Sequence, residues 1–164
     1  MSAHPSSAGR IESVSPVDGA ALGSLVATAP ADVAAAVAGS AEVQRLWAQL
    51  RLTDRARYLA RAAQAVIDEW DDIAAVVVRE QGRPIAEAQS MELLPAVETL
   101  QWLAASGPDV LAPERVGVAR SLYPTKRARL TFEPLGVVAV LTPGAEPFAT
   151  PLGDVAVALM GGNG

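Results

Sequence analysis

The feature that most constrains the fold is a continuously apolar run, Gly136-Val137-Val138-Ala139-Val140-Leu141. Its β-branched residues and lack of alternation are typical of a parallel strand whose two faces are both covered by helices. A loop with three prolines follows over 142–151, and the apolar stretch 152–160 predicts a short helix. Strand, loop and helix make half of a β-α-β unit. We therefore expect the strand to need a second parallel neighbour and the chain to be incomplete.

Helices are predicted for most of the preceding sequence. Pro30 suits the first position of a helix, and Asp32 suits the positive end of its dipole. A second helix is predicted from about Thr53 to Asp71, and a third over 73–80. In the second helix the apolar stripe is Ala56, Leu59, Ala60, Ala63, Val66, Ile67 and Trp70, and Arg55, Arg57, Arg61, Asp68 and Glu69 are left for solvent.

A further helix is predicted from Pro84 to about Ala105. Pro95 inside it either kinks the helix or marks its junction with another. The three tryptophans, Trp47, Trp70 and Trp102, are most simply core or interface side chains.

Two hairpins complete the expected architecture. The turn signal Ser15-Pro16-Val17-Asp18-Gly19 predicts a strand pair within 11–27. Strands are also predicted at 115–123 and 127–133, the second with alternating apolar and polar residues.

Charge and composition exclude several function classes. The net charge of −5 argues against a nucleic-acid partner and against adsorption to an anionic membrane. No signal peptide or membrane-length apolar run is present, so we expect a cytoplasmic protein. The sequence has no cysteine, and its one histidine, His4, lies in a small-residue stretch expected to be a solvated tail. No metal site is predicted.

Several motifs occur together and in order. The stretch 133–143, Glu-Pro-Leu-Gly-Val-Val-Ala-Val-Leu-Thr-Pro, resembles the strand and loop of the aldehyde dehydrogenase superfamily, where E-P-L-G-V-V leads into T-P-W-N-F-P and a helix ending in A-G-N. Further matches are Ser15-Pro16-Val17-Asp18-Gly19, Asp32 to Val37, Arg55-Ala56-Arg57, Glu80-Gln81-Gly82-Arg83-Pro84, Leu94-Pro95-Ala96 with Trp102, and Gly161-Gly162-Asn163. The similarity covers nearly the whole chain.

The resemblance implies an α/β fold, the N-terminal part of a Rossmann-like dinucleotide-binding domain with an incomplete sheet. Residues 1–10 would be a disordered tail, and 11–114 the helical part of that domain. Residues 115–133 would match a β-hairpin of the kind used in oligomerisation, and 134–164 the first strand, loop and helix. A homo-oligomer formed through the hairpin is therefore expected.

The implied reaction oxidises an aldehyde to a carboxylic acid through a cysteine thioester, with NAD or NADP as hydride acceptor. Leu141, Thr142, Pro143 and Gly144 match positions near the nicotinamide half of the cofactor; the alternative is an ordinary proline-stiffened loop. Ala145 occupies the place of the family's asparagine, which donates a hydrogen bond to the oxyanion, and its methyl group cannot donate.

The departure at Ala145 leaves two interpretations open. One is a divergent loop that uses backbone donors, and the other is a parent protein that has lost dehydrogenase activity. Without cysteine, no catalytic residue is assigned and the chain alone is expected to be inactive and to bind a dinucleotide weakly or not at all. The alternative function is a non-catalytic paralogue that associates with dehydrogenase subunits.

Overall fold

The computed structural model describes residues 9–119 and 121–164. Six α-helices and two antiparallel strand pairs are found in these ranges. In chain order they are β1 Arg10–Val14, β2 Ala21–Val26, α1 Pro30–Trp47, α2 Leu52–Asp68, α3 Trp70–Gln81, α4 Ile85–Glu87, a π-helical segment Ala88–Leu93, α5 Leu94–Val110, β3 Glu114–Val116, β4 Ala128–Leu130 and α6 Ala149–Met160. His4 and most of the expected tail over 1–10 lie outside the described residues, and Arg10 already belongs to β1.

The core lies where α2, α5 and α6 pack together. Apolar side chains at three- and four-residue spacing bury one face of each helix, which removes apolar area from water and stabilises the packing. The buried members are Ala56, Leu59, Ala63 and Val66 of α2, Val97, Leu100 and Leu103 of α5, and Ala156 and Met160 of α6. Four of the seven predicted stripe residues of the second helix are thus buried, whereas Ala60 is exposed and Ile67 is 41% exposed.

The predicted helices are found with two corrections. The second helix stops at Asp68, because Glu69 leaves helical geometry with φ −104° and ψ 19°, and α3 begins at Trp70. The last long helix continues past Ala105 to Val110. Pro95 lies in the first turn of α5, directly after the π-helical segment, so it marks a junction. A proline without an N–H is tolerated in that position.

The two hairpins differ in how well they match expectation. Strands β1 and β2 pair from Arg10 with Val26 to Val14 with Ala21, as predicted. Strands β3 and β4 are three residues each, much shorter than predicted. Arg115 lies opposite Arg129 in their register. Like charges facing each other are destabilising, and an isolated two-stranded ribbon is marginal in water.

The prediction of a covered central strand over 136–141 is wrong for the described structure. The segment is not assigned as a strand, and Leu141 is 90% exposed. Its backbone nevertheless begins a parallel pairing. The N–H of Gly164 donates to the carbonyl of Gly136 at 2.9 Å, and the N–H of Val138 donates to the carbonyl of Gly164 at 2.8 Å. Strand pairing needs a neighbour, and within the described residues Gly164 alone fills that role.

The turn after α6 is packed directly against a buried arginine. Gly162 has φ +88°, and a Cβ there would come within 2.8 Å of Nη1 of Arg55. The position therefore requires glycine both for its backbone conformation and for space.

Replacing Gly162 with alanine should destabilise the protein by about 2–4 kcal/mol, because backbone strain and the collision with Arg55 add. Gly19→Ala is the matched control: Gly19 has φ +71°, but no atom lies within 4 Å of the place that a Cβ would take. We expect about 1–2 kcal/mol there, from backbone strain alone. Urea unfolding of both variants checks this, and an equal loss in the two would contradict the proposed contact.

Candidate functional site

The loop that carries the expected cofactor residues lies between the extended segment 136–141 and α6. Leu141, Pro143, Gly144 and Ala145 are exposed, and Thr142 is half-buried. Among the described residues, the Ala145 carbonyl is the one backbone group between 141 and 147 that a side chain hydrogen-bonds. These consecutive residues lie on one accessible loop, with backbone groups available to a ligand.

Ala145 makes a backbone contact and no side-chain hydrogen bond. Nη2 of Arg83 donates to its carbonyl oxygen. The Ala145 methyl group has no donor, so any hydrogen bond to an oxyanion from this part of the loop has to come from a backbone N–H.

Glu92 is the residue near the loop that the sequence reasoning missed. Its side chain is fully buried, and Oε2 accepts hydrogen bonds from the N–H of Phe148 at 3.1 Å and of Ala149 at 2.9 Å. Oε1 accepts from Nη1 of Arg83 at 3.3 Å. Glu92 therefore caps the first turn of α6 from a different helix. The available signal was its spacing: it lies four residues from Ala88 and from Ala96, both buried, so a carboxylate stands on an apolar face.

Arg55 was expected in solvent, and that prediction is wrong. The residue is 7% exposed. Its guanidinium donates to the carbonyl oxygens of Leu50 at 3.0 and 3.2 Å, Met160 at 2.9 Å and Ala48 at 3.3 Å. Burial lowers the pKa of Arg55 from its ordinary value. The carbonyls at the C-terminal ends of two helices carry partial negative charge, which compensates for the absence of a paired carboxylate.

Asn163 ties the end of α6 to the extended segment. Its Oδ1 accepts the N–H of Leu135 at 2.7 Å and of Gly136 at 3.1 Å, and its Nδ2 donates to the Ala158 carbonyl at 3.1 Å. Trp47 joins the end of α1 to the end of α6, because its Nε1 donates to the Leu159 carbonyl at 2.8 Å. Together with the Glu92 contacts at the start of α6, these bonds fix the segment, the loop and the helix relative to each other.

An apolar groove of about 880 Å³ runs beside the extended segment. It is lined by side chains of α5, α6 and residues 132–141, among them Trp102, which is 55% exposed. Two carboxylates that could act as an acid–base pair, Glu80 and Glu87, are both exposed and make no ion pair within the described residues. In the same part of the chain, no group of three or more His, Asp or Glu side chains is placed to hold a metal ion. No described helix is long and apolar enough to cross a membrane.

This arrangement of segment, loop and helix is found in a known protein family. The aldehyde dehydrogenase family pattern matches residues 3–164. The chain is 29% identical over 153 residues to 4,4'-diapolycopene aldehyde oxidase of Methylomonas sp, covering 93% of this chain and 29% of that protein.

Two solved structures have a similar fold. An aldehyde dehydrogenase from Brucella melitensis biovar abortus 2308 is similar with a TM-score of 0.86 at 28% identity, over 94% of this chain and 31% of that one. An NADP-dependent enzyme of E. coli is similar with a TM-score of 0.86 at 26% identity, over the same shares of 94% and 31%.

The fold is thus that of the N-terminal part of nicotinamide-dependent aldehyde-oxidising enzymes, a mixed arrangement of helices and small sheets. The chain belongs to the aldehyde dehydrogenase family. It spans about 30% of the length of the relatives it matches.

Proposed function

We propose that this chain is the N-terminal portion of an NAD(P)-dependent aldehyde dehydrogenase and contributes the loop beside the nicotinamide half of the cofactor. The observation that carries this is the exposed loop 141–145, which follows an extended segment that starts a parallel pairing and precedes a helix. Ligands of open α/β sheets bind at the carboxyl ends of such strands. The reaction of the whole enzyme is oxidation of an aldehyde to a carboxylic acid through a cysteine thioester.

The proposed division of the chain follows from this assignment. Residues 11–114 form the helical part of a dinucleotide-binding domain, 115–133 a hairpin used in oligomerisation, and 134–164 the segment, loop and helix that begin a Rossmann-like sheet. The protein acts in the cytoplasm, with no nucleic-acid partner.

The residues of this chain would position the cofactor, which when bound supplies the hydride acceptor. Leu141, Thr142, Pro143 and Gly144 would contact the nicotinamide half, and Ala145 offers a backbone N–H in place of a side-chain donor. The 164 residues contain no cysteine, so the acylation step has no thiolate here, and we infer that this chain alone is inactive.

A nucleotide titration followed by amide chemical shifts tests the proposal. We expect a weak but measurable dissociation constant of ~1–10 mM for NAD⁺ and NADP⁺, since the chain has no Gly-x-Gly-x-x-Gly to hold a pyrophosphate. Shifts should be confined to 141–145.

Nicotinamide mononucleotide and AMP form a matched pair of ligands for that titration. The first should reproduce the shifts at 141–145 and the second should not, because the loop is assigned to the nicotinamide half. Shifts caused by AMP alone, or shifts centred elsewhere, would overturn the assignment.

A second candidate function is a non-catalytic paralogue that associates with dehydrogenase subunits, and the charge of the hairpin favours it. Five of the 13 basic residues lie within 115–129, which contains no acidic residue, although the whole chain has a net charge of −5. Arg115, Lys126, Arg127 and Arg129 form no ion pair within the described residues. Such a surface suits an acidic one, either a second copy or a longer subunit. Salt-sensitive co-purification with a full-length subunit would support this function, and no complex at micromolar concentration would exclude it.

A further inference from the structure

Glu92 is an unusual way to cap a helix. Helix α6 has no capping side chain of its own at Phe148, and its first amides donate instead to a carboxylate from the π-helical segment, 56 and 57 residues earlier in the chain. A Ser, Asp or Asn at the N-cap would accept instead from the amides of the second or third helical residue, so these two amides are satisfied from elsewhere in the fold. A fully buried carboxylate of the π-helical segment thus holds the start of α6.

The burial of Glu92 is costly unless every oxygen has a partner. Both oxygens do, and no buried side-chain polar atom in the described residues lacks a hydrogen-bond partner. Glu92 lies within the π-helical segment Ala88–Leu93, and single-turn π segments inside helices occur frequently at functional sites.

Arg83 extends the contact to the other end of the loop. Its Nη1 donates to Glu92 and its Nη2 to the carbonyl of Ala145. One ion pair therefore holds the loop at two places, the Ala145 carbonyl and the amides of Phe148 and Ala149. No other side chain among the described residues hydrogen-bonds the backbone over 141–147. The contacts of Arg83 and Glu92 therefore hold the loop backbone, alongside the packing of Phe148 against the core.

We propose that Glu92 is a positioning residue, which acts with Arg83 to hold the loop 142–148 in the place from which it contacts the cofactor. The inference that the loop serves a cofactor rests on the proposed function; the inference that Glu92 holds the loop rests on the contacts alone. Glu92 itself touches neither cofactor nor substrate.

Glu92→Gln keeps the shape of the side chain and removes its charge. We expect the amide protons of Phe148 and Ala149 to exchange with solvent at least about tenfold faster and to shift upfield, because a hydrogen bond to a charged acceptor is the stronger kind. Amides of Leu59 and Leu100 in the core should keep their exchange rates. Glu98→Gln, the same change at an exposed position of α5, is the control and should change neither set.

Residue-resolved exchange separates positioning from general stability. An equal acceleration at Phe148, Ala149 and the core amides would mean a purely structural role and would overturn the proposal, as would no change at Phe148 and Ala149. Arg83→Met, at a side chain 23% exposed, provides a second variant if Glu92→Gln does not fold. It should shift the Ala145 region and leave Phe148 and Ala149 protected; unchanged Ala145 signals would contradict the bridge.

Titrating the unmodified chain and Glu92→Gln with nicotinamide mononucleotide keeps the two claims distinguishable. If the unmodified chain shows no shift at 141–145, the cofactor assignment fails while the exchange result still judges Glu92. If the unmodified chain responds and Glu92→Gln responds at least about tenfold more weakly, both claims are supported. Identical chemical-shift changes in the two proteins would show that Glu92 has no effect on cofactor binding by the loop, which would overturn that part of the proposal.

Discussion

Replacing Arg55 with methionine should lower the free energy of unfolding by about 3 kcal/mol. Methionine fills a similar volume but leaves the carbonyls of Leu50, Met160 and Ala48 without the donors they have in the structure. Each buried acceptor left without a partner costs about 1–3 kcal/mol, partly relieved where water can enter. For a chain of this length, we expect the melting temperature to fall by roughly 6–12 °C.

The control for this prediction is Arg57→Met on the same helix. The Arg57 side chain is 75% exposed, and it pairs with Asp54 at 3.1 Å on the surface. Exposed pairs of this kind contribute little to stability because solvent screens them. Calorimetry of the two variants measures the difference, and a loss for Arg55→Met no greater than for Arg57→Met would show that the buried guanidinium does not hold the helix ends together.

Helical periodicity predicted the core well because its signal is local. The predicted stripe of seven residues follows from three- and four-residue spacing along a single helix, and four of them, Ala56, Leu59, Ala63 and Val66, are buried. Periodicity gave the wrong prediction for Arg55. Its partners Leu50 and Met160 are five and 105 residues away, and the carbonyls it satisfies come together only after two helix ends have met.

In the candidate site, too, the sequence predicts what a local motif marks and misses what contacts between distant residues determine. The loop 141–145 could be found from the sequence, since prolines and a family motif mark it. Glu92 could not be assigned a partner, because the amides it binds are 56 and 57 residues away and carry no sequence signal. The run 136–141 was identified correctly as apolar, but the prediction of a covered strand there was wrong, because a strand's pairing and cover come from other segments.

The second large expected effect is that this chain alone does not oxidise an aldehyde. The proposed function gives this chain a cofactor-facing loop and no sulfur nucleophile, since none of its 164 residues is a cysteine. Formation of a thioester needs a thiolate, which no other side chain can supply. Oxidation of an aldehyde should therefore be undetectable with the purified chain, whichever of NAD⁺ and NADP⁺ is supplied.

The most direct measurement is the absorbance of reduced nicotinamide when the purified chain is mixed with NAD⁺ or NADP⁺ and a panel of aliphatic and aromatic aldehydes. A full-length aldehyde dehydrogenase in the same assay is the positive control. We expect the rate with the chain alone to equal that of the protein-free blank. Sustained formation of reduced cofactor together with the matching carboxylic acid, at a rate proportional to the amount of chain, would contradict the inference that this chain alone is inactive.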